Sequence, residues 1–181
     1  ALETELLHLV DEDTEAFTRI MAAFGMPKNT DEDKRLRSEA IQRATLFAAQ
    51  VPLHTMQTTF GVFELCRAMV LEGNPNSVSD AGVGALAARS AVLGAGMNVK
   101  INALSLKDEA VANELVAEAN ELIEKAQKAE AEILALVDER ITRLSLILKH
   151  IGVALPLVNN PDWCFFPFFI SPLFLFLKIL I

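Results

Sequence analysis

Apolar residues recur at steps of three and four along most of residues 2–150, and no run long enough for a strand alternates between apolar and polar. Leu6, Val10, Phe17, Ile20 and Phe24 mark one face of a helix over residues 2–24, which Gly25-Met26-Pro27 ends. Thr30 is placed to cap a second helix, with Asp31, Glu32 and Asp33 in its first turn, where the helix dipole favours anions. Leu36, Ala40, Ala44, Phe47 and Val51 give that helix its apolar face. Pro52 lacks an amide proton and is expected to kink or divide it, leaving a third stretch from about Leu53 to Leu71. Gly73-Asn74-Pro75-Asn76-Ser77 is a strong turn signal, and Ser77 or Ser79 is placed to cap the next helix, with Asp80 in its first turn. Residues 80–103 are dense in alanine and glycine, as in a helix that its neighbours approach closely. A last helix is predicted over about Leu106 to His150, with a seam at Leu115, Ala119, Leu122, Ala126, Ala129, Ile133 and Leu136 and a break near Asp138. The fold class is all-α, a bundle of long helices.

Charge changes this picture in one respect. The chain has 181 residues and a net charge of −8, which disfavours nucleic-acid binding through phosphates. Its two cysteines, Cys66 and Cys164, are far apart and its three histidines are scattered. A disulfide scaffold and a metal centre therefore have little to build on, and a reducing, cytoplasmic setting is expected. Residues 151–181 differ from the rest. They carry only two charges, Asp162 and Lys178, yet hold six of the eleven phenylalanines and four of the seven prolines. The chain thus divides into a helical domain over residues 1–150 and an apolar tail over 151–181, the latter expected to be dispensable for the fold. Cys164 to Ile181 approaches the lower length limit of a membrane span, but Pro167, Pro172 and Lys178 interrupt it. Membrane contact by the tail is an expectation that rests on its apolar composition alone.

Asp13 is the candidate that stands out by pattern alone. It lies three residues after Val10 and four before Phe17, on an apolar helical stripe. A carboxylate there must be paired, desolvated or beside a cavity. Desolvation would raise its pKa and suit it to giving and taking protons. If instead the stripe is turned by one residue, Asp13 lies at its edge in water. Asn98 and Asn102, four apart, either bind a ligand's polar edge or hydrogen-bond across helices. Asp80 either orients a ligand or is a plain first-turn acid. Gly82-Val83-Gly84 and Gly94-Ala95-Gly96 follow no strand and lack the spacing of a phosphate loop.

Several segments together resemble a known family. Leu9-Val10-Asp11-Glu12-Asp13, Met26-Pro27-Lys28-Asn29-Thr30, Val51-Pro52-Leu53, Asn76-Ser77-Val78-Ser79-Asp80 and Asn98-Val99-Lys100-Ile101-Asn102 occur in the order and spacing of the cyclodeaminase domain of formiminotransferase-cyclodeaminases. The resemblance covers roughly residues 3–145. It implies an all-α homodimer that binds a folate near the subunit interface and needs no metal and no cofactor beyond the tetrahydrofolate substrate. It implies closure of 5-formimidoyltetrahydrofolate to 5,10-methenyltetrahydrofolate with release of ammonia, an ammonia-lyase reaction. The second acid of the Leu-Val-Asp-x-Asp motif, Asp13 here, is the implied proton donor and acceptor, and Asp80, Asn98 and Asn102 are the implied substrate-binding residues. A methenyltetrahydrofolate cyclohydrolase on the same scaffold is the alternative, and a non-catalytic helical assembly or membrane-anchored protein a further one. Two departures stand against the pattern. The Pro-Gly-Gly-Gly-Ser segment expected before the first motif is absent, so the chain reads as truncated and poorly active, and residues 151–181 resemble nothing in the family. Dimerisation is expected through the small-residue helix 80–103 or its neighbours.

Overall fold

The computed structural model describes residues 1–150; the expectations for residues 151–181 lie outside them. Four α-helices follow one another: α1 (Leu2–Phe24), α2 (Asp31–Glu72), α3 (Val78–Ala103) and α4 (Glu109–His150), with a 3₁₀ turn at Pro75–Ser77 before α3. No strand occurs among the described residues. None of the described helices is long and apolar enough to cross a membrane.

The helix starts follow from capping chemistry. Thr30 Oγ1 accepts from the Asp33 amide at 3.0 Å, while the Asp33 carboxylate accepts from the Thr30 amide at 3.0 Å. This reciprocal pair satisfies two donors that α2 could not pair internally. It holds the Asp33 carboxyl below its usual range, the backbone amide of Thr30 being the main cause. A lowered folded-state pKa means that the pair's stabilisation is present above the unfolded carboxylate pKa and is lost as the pH falls through the folded value. Thr30→Ala is therefore expected to lower the melting temperature at pH 7, and by less under acid conditions where Asp33 is protonated; thermal unfolding at the two pH values checks it. Helix α4 starts at Glu109 rather than near Leu106, because the Asp108 carboxylate accepts from the Ala110 and Val111 amides. It runs through Asp138 without a break.

Contacts fix the directions. Leu2 lies over Gly61 and Glu5 reaches His54, so α1 runs antiparallel to α2. Gly84 lies against Cys66 and Gly96 against Met56, so α3 is antiparallel to α2. Gln57 donates to Glu118 and Arg67 to Glu132, so α4 runs parallel to α2. The main core lies between α2, α3 and α4, with Met56, Val92, Val99 and Ile133 shut off from water. Full burial of such a side chain contributes roughly 1.5–3 kcal/mol. The seam of α4 is as its periodicity predicts, with Leu115, Ala119, Ala126 and Ile133 buried and Leu122, Ala129 and Leu136 packed beside them. Helix α1 docks on the outside of α2, where Leu9 and Ala16 meet Ala48 and Val51.

Two glycines of α3 play opposite parts. A Cβ at Gly96 would come within 2.8 Å of Ile123 Cδ1 and 3.2 Å of Met56 Cε, so glycine permits the close approach of three helices there. A Cβ at Gly94 would meet nothing within 4 Å. Within the single chain Gly94→Ala is thus expected to raise stability by roughly 0.4–1 kcal/mol, since alanine restricts the unfolded chain and meets no neighbour there. At Gly96 the same change should gain less or destabilise, because Ile123 must shift. Denaturant midpoints of the two variants test the contrast.

Pro52 corrects an expectation. Helix α2 is not divided there; it continues from Asp31 to Glu72, with Val51, Pro52 and Leu53 all buried. The carbonyl left without its partner is that of Ala48, four residues back, since a proline supplies no amide proton. Asn102 of α3 replaces the missing donor: its Nδ2 donates to the Ala48 carbonyl at 2.7 Å. The side chain of a neighbouring helix thus mends α2 at the point where the local sequence breaks it.

Candidate active site

The face that α1 turns inward is set by Leu9 and Ala16, 3% and 2% exposed, together with Ala23 and, in part, Leu6 and Ile20. Val10 and Phe17, expected inside, are 63% and 66% exposed, as are Met21 and Phe24 in large part. The stripe is turned from its predicted position: Leu9 and Ala16 pack with Ala48 and Val51 of α2, and the larger Val10 and Phe17 stay in water. Asp13 falls between the two stripes. Its nearest neighbours on the helix surface are Leu9 and Val10 on one side and Ala16 and Phe17 on the other. The carboxylate is exposed, which corrects the expectation of a desolvated group within this single chain. It stands in water among apolar neighbours, so a ligand or second subunit laid on this face would remove it from water. Asp11 is exposed too, and Glu12 is turned toward His8, 3.5 Å away.

The α1 segment that carries Asp13 and the α3 residue Asn102 meet the same part of α2. The residues of α1 that flank Asp13 pack on Ala48 and Val51, and Asn102 binds the Ala48 carbonyl. Asn98 lies one turn before Asn102 and is exposed. Asn102 is half-buried, and its amide N–H group is engaged by α2. Asp80 is not brought to this group. It is exposed in the first turn of α3, and twenty-two residues of helix, about 33 Å, separate it from Asn102. Ser77 stands at the start of α3 and makes no side-chain cap.

Asp80 does share a face with Asn98. Asp80, Val83, Ala87, Ser90, Gly94, Met97 and Ile101 follow one another at alternating steps of three and four, and all but the half-buried Ala87 are exposed. Cys66 has no place in this chemistry. It is buried under Gly84, and burial pushes its thiol up, away from the reactive thiolate. Among the described residues no group of three or more His, Cys, Asp or Glu side chains is placed to hold a metal ion.

A cleft of about 360 Å³ lies at the end of the bundle, lined by Lys28, Lys34, Arg37, Ser38, Gln42 and Lys107. A shallower groove of about 480 Å³ runs between α1 and α2, with Arg19 stacked on the Phe47 ring 4.1 Å from its centre. Neither includes the four sequence-predicted site residues. No sequence signal marks the cationic cleft, because Lys28 and Lys107 are distant in sequence and only the packing of two interhelix loops joins them.

Comparison with known proteins places this arrangement. Residues 1–121 match the sequence model of the formiminotransferase-cyclodeaminase family. A methenyltetrahydrofolate cyclohydrolase of Methylorubrum extorquens is 36% identical over 140 residues, which is 77% of this chain and 67% of that one. A formimidoyltransferase-cyclodeaminase of Gallus gallus is 33% identical over 136 residues, 75% of this chain and 25% of that one. This chain thus spans about two thirds of the bacterial relative and a quarter of the animal one. A formiminotetrahydrofolate cyclodeaminase of Thermotoga maritima shares the fold, with a TM-score of 0.66 at 21% identity over 77% of this chain and 66% of that one. The family model covers well over half of the chain and the bacterial relative is more than 30% identical over most of it, so the chain belongs to the formiminotransferase-cyclodeaminase family.

Proposed function

We propose that the chain acts on a one-carbon-substituted tetrahydrofolate and closes 5-formimidoyltetrahydrofolate to 5,10-methenyltetrahydrofolate with release of ammonia. The observation that supports this is the placement of Asp13, a carboxylate ringed by apolar neighbours on a face that a flat ligand would cover. In the reaction N10 of the protonated formimidoyl substrate attacks the formimidoyl carbon, forming the N10–C bond and a tetrahedral centre. Asp13 takes the proton from N10 and delivers it to the exocyclic nitrogen. The C–N bond to that nitrogen then breaks, ammonia leaves, and the methenyl cation keeps the positive charge that the substrate carried. One proton moves between two nitrogens, so one carboxylate suffices.

The cyclohydrolase reaction is the second reading, favoured by the 36% identity to a methenyltetrahydrofolate cyclohydrolase. There water adds to the methenyl carbon and the same acid assists ring opening. Ammonia release from formimidoyltetrahydrofolate, measured beside hydrolysis of methenyltetrahydrofolate, separates the two. Activity on neither substrate, in a chain that also carries the family's Gly-rich segment, would overturn both.

A homodimer belongs to this reading. The exposed stripe of α3 from Asp80 to Ile101 is continuous, with small residues at its centre. Two copies crossing antiparallel at Ser90–Ala91 would bring Asp80 of one beside Asn98 and Asn102 of the other, which one chain cannot do. Sedimentation is expected to show a dimer at micromolar concentration that Gly94→Leu weakens. A monomer under those conditions would exclude the pairing.

A further inference from the structure

We infer that the cationic cleft at the end of the bundle is a binding site for a multivalent organic carboxylate. The protein is acidic, and many of its cations are matched to acids on the same helix: Arg19 to Glu15, Arg35 to Glu32 and Glu39, Lys125 to Glu121, Arg143 to Glu139. The cleft departs from that habit. Lys34 is paired with Asp31 at 2.8 Å, but Lys28, Arg37 and Lys107 have no carboxylate within 4.0 Å among the described residues. Asp108, next to Lys107, is engaged with the amides that start α4.

Two of these three cations, Arg37 and Lys107, are held in place by neutral partners. Lys107 Nζ donates to Ser38 Oγ at 2.7 Å, and its backbone amide donates to Gln42 Oε1 at 2.7 Å. Gln42 Nε2 in turn donates to the Ser105 carbonyl at 3.0 Å, fixing the α3–α4 loop against α2. Arg37 donates to the Phe24 carbonyl at 3.1 Å through Nη2, which leaves other donors of its fork free. Positive charge converges here from two loops and one helix, and Arg37 and Lys107 are restrained by partners that do not neutralise them, an arrangement prepared for an anion. A cleft of about 360 Å³ is the size of an organic ligand site rather than of a bare inorganic ion. Ile41 and the aliphatic stems of the lysines give it an apolar lining for the carbon frame between carboxylates.

Two sources share this chemistry, the glutamate end of a folate and a free polycarboxylate. The cleft lies six residues, about 9 Å, along α2 from the carbonyl that Asn102 binds. Only the folate source rests on the proposed function. The test is titration calorimetry on the whole chain, comparing the wild type, Lys28→Gln/Lys107→Gln, and a charge-matched control, Lys125→Gln/Lys128→Gln on α4. The probes are citrate, 5-formyltetrahydrofolate and the corresponding tetrahydropteroate, which lacks glutamate. Loss of two charged contacts is expected to weaken binding about tenfold or more, with the control unchanged. If the folate weakens and the pteroate does not, the source is the substrate's own tail. If only citrate weakens, the source is a free polycarboxylate. If the wild type binds neither folate nor pteroate, as expected where the Gly-rich segment is needed for the pterin, citrate alone decides the cleft. Absence of saturable binding by both citrate and the folate, equal weakening in the control, or a cleft variant that binds every probe like the wild type would each overturn the proposal.

Discussion

Asp13→Asn is expected to lower turnover about 100- to 10,000-fold, the range over which a positioned acid–base group contributes. The assay uses a chain that carries the Gly-rich segment expected of the family, so that loss of rate is not masked by poor binding. Asparagine keeps the shape of the carboxylate but cannot carry the proton between the two nitrogens. Asp11→Asn should cost far less, since Asp11 lies farther round α1 from the apolar neighbours that flank Asp13. Because Asp13 is exposed in the single chain, the substitution should leave its stability within about 0.5 kcal/mol, as for other surface positions. Replacing a desolvated carboxylate would stabilise the fold; no such gain is expected of a group in water. Wild-type turnover in Asp13→Asn, or a larger loss in Asp11→Asn, would remove Asp13 from the mechanism.

The part of the architecture that rests on local chemistry is legible in the sequence. The Thr30–Asp33 cap, the stop at Gly25, the turn at Gly73–Ser77 and the seam of α4 depend on residues near one another in the chain, and each lies where the pattern puts it. Pattern and fold part where a distant residue decides. Helix α1 carries two adjacent apolar stripes, and size favours Val10, Phe17 and Phe24 for the core. The choice is made instead by Ala48 and Val51 of α2, on which Leu9 and Ala16 pack. The position of Asp13 between those stripes is therefore readable, but its exposure is not. The separation of Asp80 from Asn102 follows from the length of α3, yet the motif pattern hides it by treating both as parts of one site. The basic cleft cannot be found from local sequence, since it is assembled from two interhelix loops and the first turns of α2.

Asn102→Ala is expected to destabilise the protein by roughly 1–3 kcal/mol, the cost of leaving a buried acceptor without its donor. The acceptor is the Ala48 carbonyl, which Pro52 cannot serve and which lies in a buried stretch of α2. For a protein of this length that corresponds to a fall in melting temperature of about 2–4 °C for each kcal/mol. Asn98→Ala, one turn away and exposed, should change stability by no more than about 0.5 kcal/mol. The decisive comparison is made in the Pro52→Ala background. Alanine there supplies the amide that an uninterrupted helix offers to Ala48, so Asn102 is no longer needed for that carbonyl. Asn102→Ala should then cost distinctly less, with an interaction energy of about 0.5–3 kcal/mol between the two sites. Equal losses in both backgrounds would show that Asn102 stabilises the bundle in some other way. The same pair of backgrounds separates Asn102's two possible roles. If it only mends α2, Pro52→Ala restores both the stability and the folate affinity of Asn102→Ala. If its remaining amide oxygen also contacts the substrate, stability recovers and affinity does not.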